Sequence, residues 1–197
     1  LPQLHGQPVL TDGGLETTLI FLDQIELPGF AAIHMLTSTD RRAHLERYFE
    51  QYVRLAKKHK MGFLFESATW RSSSGWAEEI GLTVEDLDEL NLAAIHMLIE
   101  MREKMETSTT PMVISGCIGP QGDGYVADNM MTVTEATAYH AQQIALFEAA
   151  GVDCVTGLTM NYVEEAAGIA LAAKKKNVPS VISFTVETDG RLVTGTE

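Results

Sequence analysis

Cysteine, positive charge and long apolar runs are all scarce in this chain. Cys117 and Cys154 are the only two cysteines in 197 residues. That is too few for a disulfide framework, and both fall in strand-like segments where buried, reduced thiols are expected. Fourteen Lys and Arg face 27 Asp and Glu, a formal net charge of -13. Such a surface repels phosphate backbones and anionic lipid, which argues against nucleic acid and membrane as partners. No apolar run approaches the roughly 20 residues a bilayer span needs. The opening LPQLHGQP lacks the basic-then-apolar pattern of a signal peptide, so the expected location is the cytoplasm. A first residue other than Met is what a processed chain or a piece of a longer one would show. Neither an internal repeat nor a low-complexity segment occurs, and HExxH and CxxC spacings are missing.

What is present is a composition 45% hydrophobic on a chain of single-domain size. Short apolar, β-branched runs recur at 8–12, 62–68, 111–119, 152–158 and 179–186. Their near-continuous hydrophobicity suits strands buried on both faces. Between them, RRAHLERYFEQYVRLAKKHK places Leu45, Phe49, Tyr52, Val53 and Ala56 at helical spacing, with Gly62 as a stop signal. Further helices are expected near 84–105, 133–150 and 162–176, the last ending in Lys174, Lys175 and Lys176. Thr83 with Asp86, Thr132 with Glu135 and Asn161 with Glu164 each read as capping arrangements. Met97, Met101 and Met105 recur fourfold and read as core packing. The pattern is βα repeated, an α/β fold with a parallel sheet. DGGLET after the first strand replaces the GxGxxG of a dinucleotide site, which favours a (β/α) TIM barrel over an open doubly wound sheet. With five strands rather than eight, that barrel is incomplete, about five of eight βα units.

In such folds ligands gather where strands end. The candidate binding residues are therefore Asp12, Gly13 and Gly14, then Glu66, Ser67 and Thr69, then Gly119 and Thr159. A carboxylate at a strand mouth can hold an ammonium group, and glycines admit a ligand to backbone N–H groups. The alternative is that Asp12 caps the next helix and the glycines only make the turn. Glu66 could equally pair with Arg71. His5, His34, His44, His59, His96 and His140 are scattered; the last four lie on predicted helices, where surface or flank positions are expected.

VLTDGGLET, GCIGPQGDGY at 116–125, GVDCVTGLTMNYVEEA at 151–166 and VPSVISFTVETDGRLVTG at 178–195 come in an order that resembles the homocysteine S-methyltransferases. The resemblance spans nearly the whole chain and implies residues 1–197 as a single domain, the N-terminal portion of a TIM barrel. It implies methyl transfer to the sulfur of homocysteine or a related small thiol, a step of methionine biosynthesis. It also implies a zinc ion on three cysteines that makes the thiolate. Asp12 and Gly13 would then fall in the amino-acid binding turn, the carboxylate near the substrate ammonium. The zinc cysteines of the family lie in an Asn-Cys turn and a Gly-Gly-Cys-Cys motif that this sequence does not contain, and Cys117 and Cys154 match neither, so no metal ligand is assigned. Where the family shows Phe-Glu-Thr after the fourth strand, this chain has Gly157, Leu158 and Thr159. Glu66, at the end of the second strand, is the candidate to replace that lost carboxylate. Two alternatives stand beside methyl transfer: a divergent member that binds another small molecule without zinc, and a non-enzymatic partial barrel completed by a homo-oligomer or a partner.

Overall fold

A computed structural model describes residue 6 and residues 8–196; His5 lies outside them. Five parallel strands, β1 (Val9–Thr11), β2 (Gly62–Glu66), β3 (Met112–Ile118), β4 (Cys154–Met160) and β5 (Ser180–Phe184), pair in the order β1-β2-β3-β4-β5. Each is joined to the next by helical segments: α1 (Leu15–Thr17) and α2 (Thr39–His59), then α3 (Val84–Met105), α4 (Val133–Ala150) and α5 (Val163–Lys175). The neighbour-to-neighbour order is that of a (β/α) barrel, and the five units form an incomplete one.

Alternation within each strand sorts its side chains. Phe63 and Phe65 of β2 pack edge-on with each other, and Phe65 meets Phe49 of α2, so these positions face the helices. Leu64 and Glu66 therefore face the barrel interior. Gly116 of β3 lies against the Phe147 ring of α4, and Gly157 of β4 against Ile169 of α5. Ser115, Cys117 and Thr156 thus point inward, and Ser115 and Thr156 share a 2.7 Å hydrogen bond there. The apolar layer between sheet and helices includes Leu45, Phe49, Ile95, Met97, Ile144, Phe147 and Ile169, all fully buried. Met101 belongs to it as well, and Met105 packs at its margin.

Helix boundaries obey side-chain chemistry at three starts, the first being α2, where Ser38 Oγ accepts the Arg41 N–H. Thr83 accepts the Asp86 N–H and Asp86 answers on the Thr83 N–H; Thr132 and Glu135 repeat that capping box. Three expectations fail. Tyr162, not Asn161, is the N-cap of α5, because the Asn161 Nδ2 is committed to the carbonyls of Asp123 and Val126 at 2.7 and 2.9 Å. The stop of α2 is Lys60, left-handed at φ 53°, while Gly62 opens β2. His140 is fully buried rather than on a helix flank, held by Glu165 of α5.

Candidate functional site

Asp12 is the first polar residue past β1, and the turn after it keeps its carboxylate from capping anything. Gly14 takes φ 67°, a conformation that favours glycine, and is the N-cap of α1 with no side-chain cap. The Asp12 Oδ2 accepts a hydrogen bond from the Tyr48 hydroxyl at 3.0 Å. Tyr48 and Tyr52, both on α2, also reach the Gly13 carbonyl, at 3.1 and 3.2 Å. Two phenols thereby fix the Asp-Gly-Gly turn at the strand mouth.

The turn forms one wall of a cavity of about 360 Å³ at the carboxyl ends of the strands. Of the candidate residues, Asp12, Gly13, Gly14, Glu66, Ser67 and Thr159 line it. Thr69 and Gly119 do not. Thr69 is fully buried behind the wall, where the Cys117 N–H donates to Ser67 Oγ, and the Ser67 and Thr69 hydroxyls relay that chain to the Cys117 carbonyl. Ser67 lines the cavity with its only hydroxyl proton already used in this relay. Gly119 admits the backbone of Trp70: a Cβ there would collide with the Trp70 carbonyl.

Three carboxyl groups converge on the cavity: Asp12, Glu66 and Glu16, the last of which sequence reasoning passed over. Its signal was the second position after Gly-Gly, which α1 turns back toward the mouth. None of the described lining residues is basic. Burial pushes Asp12 up to about 6 against the opposing Tyr48 hydrogen bond. Burial likewise raises Glu66 to about 7, against the hydroxyls of Thr156 and Ser115, and Glu16 to about 7. Asp12 Oδ1 and Glu66 Oε2 are buried with no hydrogen-bond partner among the described residues. Arg71 does not neutralise Glu66. Its guanidinium stacks between the rings of Trp70 and Trp76, 4.9 and 4.3 Å from their centroids, and donates to the Gly29 carbonyl.

The apolar remainder of the wall comes from Leu15, Phe30, Trp70, Tyr125 and Leu158. Thr159 sits where the β4–β5 register shifts, at φ 57°, a strained conformation for a β-branched residue. Its hydroxyl accepts from Trp70 Nε1 at 3.0 Å and donates to the Leu158 carbonyl. The bulge thus ties the mouth of β4 to the segment after β2.

The described residues do not fit a metal centre. No group of three or more His, Cys, Asp or Glu among them is placed to hold an ion. Both cysteines are free and buried. Cys117 faces the cavity wall, its thiol raised well above its ordinary range by burial and then by Glu66. Cys154 pairs with Ser115, two positions back along the sheet, its thiol pushed up to about 11 by burial.

A model of the homocysteine S-methyltransferase family matches residues 9–197. No curated protein sequence matches the chain. Among solved structures, the metallated form of the homocysteine methyltransferase MmuM from Escherichia coli has a TM-score of 0.77 at 17% identity, over 99% of this chain and 69% of that one. The oxidized form of the same protein gives 0.77 at 18%, over 98% and 68%. At these identities the likeness is one of fold. No described helix is long and apolar enough to cross a membrane.

Proposed function

The chain belongs to the homocysteine S-methyltransferase family, and from that premise we propose that its strand-mouth cavity binds homocysteine or a related small thiol for S-methyl transfer. The observation that carries the reading is the pair of buried, unpartnered oxygens, Asp12 Oδ1 and Glu66 Oε2, in a cavity without a basic residue among its described lining. Buried carboxylates left unpaired are costly, and an ammonium group between them recovers charge-assisted hydrogen bonds. Asp12, held by Tyr48, presents one oxygen to that group, and Glu66 supplies the second carboxylate from β2. The glycine turn leaves room for the backbone of the amino acid. Leu15, Phe30 and Leu158 give its side chain an apolar path.

With homocysteine, an activated methyl donor would lose its methyl group to the sulfur: the donor–CH3 bond breaks as the S–CH3 bond forms, and the thiol proton leaves. The products are methionine and the demethylated donor, the reaction of methionine biosynthesis that the family membership suggests. Zinc, which the resemblance implies for thiolate formation, has no ligand set among the described residues, so no step is assigned to it. Residues 1–197 are read as one domain, about two thirds the length of the solved structures it resembles. A cytoplasmic setting, in which Cys117 and Cys154 stay reduced, suits this chemistry.

Calorimetric titration with homocysteine and with its desamino analogue tests the reading. Homocysteine binds, the analogue binds at least tenfold more weakly, and Asp12→Asn and Glu66→Gln each cost about tenfold, the worth of one charge-assisted hydrogen bond. Equal affinity for the two ligands would mean that no ammonium is recognised, leaving a different small molecule as the occupant.

A further inference from the structure

The titratable pair that the site chemistry leaves unused is His140 and Glu165. Their side chains are 0% and 1% exposed, and His140 Nε2 lies 2.9 Å from Glu165 Oε1. The same oxygen accepts the Gln121 backbone N–H at 2.7 Å. Gln121 lies near the start of the segment between β3 and α4, residues 119–132, whose Tyr125 lines the cavity although it is 66% exposed. At the far end of that segment the Tyr162 hydroxyl accepts the Met131 N–H at 3.1 Å. Asn161 holds the middle through the carbonyls of Asp123 and Val126. Across the loop from α5, Trp76 Nε1 donates to the Pro120 carbonyl at 3.2 Å. Loop geometry is therefore set by side chains from outside it, and the buried pair anchors it at Gln121.

We propose that His140 and Glu165 are positioning residues, a buried pair on α4 and α5 that holds the 119–132 loop, and with it Tyr125, as a wall of the strand-mouth cavity. Glu165 acts on the loop through the Gln121 N–H, and His140 acts through Glu165. A purely structural pair would brace α4 against α5 and leave the loop indifferent. The consequence for ligand binding rests on the proposed reading of the cavity; the consequence for the loop does not.

Cysteine chemistry separates the two. Cys117 lines the cavity and Cys154 does not, so their alkylation rates by iodoacetamide in the native protein report local opening and global loosening respectively. Glu165→Ala is expected to speed Cys117 labelling about fivefold or more, with faster amide exchange across 121–131 and an unchanged Cys154 rate. Glu165→Gln, which keeps an acceptor for the Gln121 N–H, restores the wild-type rate. Should Glu165→Ala fail to fold, Gln121→Pro, which removes the loop donor and also fixes φ at 121, must raise Cys117 labelling in the same way with the Cys154 rate unchanged. Parallel acceleration of both cysteines, or no change at either, overturns the proposal. Homocysteine affinity is measured on the same proteins. A wild-type chain that does not bind it sinks the reading of the cavity and leaves the labelling result to decide the loop.

Discussion

Phe65 and Glu66 are neighbours on β2, yet they belong to two regions built on opposite rules. Phe65 is fully buried against Phe63 and Phe49 in the layer between sheet and helices, where apolar side chains pack densely. Glu66 faces inward among the mouth residues, with an unpartnered oxygen, two other carboxyls and a β-bulge nearby. The helix-facing layer maximises stability. The mouth carries several costs at once, which is the usual mark of a site whose missing partner is a ligand. Phe65→Ala breaks the first region and should have the largest effect, a loss of about 3–5 kcal/mol for a large core side chain. Urea denaturation checks it. A loss below about 1 kcal/mol would mean that the layer relaxes into the void and is not close-packed.

Acid titration of stability examines the mouth. Asp12 has its folded value raised to about 6, and Glu16 and Glu66 to about 7. A raised carboxyl contributes stability that is fully present below its unfolded value and is lost as pH rises through the folded one. Unliganded protein should therefore lose stability between about pH 4 and 7, on the order of 3 kcal/mol for each carboxyl. Asp12→Asn and Glu66→Gln should each flatten that slope. Homocysteine has the opposite sensitivity: its ammonium needs charged carboxylates, so affinity tightens over the same window and protons are released on binding. Thermal melts from about pH 4 to 8, with and without homocysteine, read both slopes. A stability curve that rises through this window would show that the carboxyls are solvated or paired.

Replacing the Thr83 cap has a smaller effect and bears on the first region alone. Thr83→Ala removes the hydroxyl that accepts the Asp86 N–H, leaves the Asp86 carboxylate on the backbone N–H of residue 83, and should cost about 1 kcal/mol, with no change in homocysteine affinity. Chemical denaturation and calorimetry on one preparation measure both. A fall in affinity would mean that α3 transmits strain to the mouth and that the two regions are not independent.

The layered fold was largely legible in the sequence, because strands and helices are written in local periodicities. The five strand runs, the four long helices and two of the three caps are at their expected places. Asn161 misled because its spacing to Glu164 fits a cap, while its amide is claimed by a loop 35 and 38 residues earlier. His140 misled for a similar reason: helical position says nothing about burial when the partner, Glu165, lies on another helix. At the mouth, Asp12 and Glu66 were legible because a residue ending a strand must face it. Glu16, Trp70 and Tyr125 were not, since they reach the cavity from segments whose path depends on tertiary contacts such as the Trp70–Thr159 bond. Thr69 and Gly119 lie on the right strand ends but turn behind the wall.

Two left-handed residues give the finest comparison. Lys60 at φ 53° ends α2 and Thr159 at φ 57° sits in the β4 bulge, so glycine relieves the same backbone strain at either. The Lys60 side chain is exposed beyond the helix end, and Lys60→Gly should stabilise by about 0.5–1 kcal/mol. At Thr159 the hydroxyl accepts from Trp70 Nε1, and its loss leaves a half-buried indole donor unpaired. Thr159→Gly should therefore gain nothing in the melt and should loosen Trp70, seen as a red shift in its fluorescence. If both substitutions stabilise equally, the bulge is only a strained turn. If they diverge as expected, Thr159 is strained because its hydroxyl is needed where the bulge puts it, and the cost at the mouth is tied to the shape of the cavity.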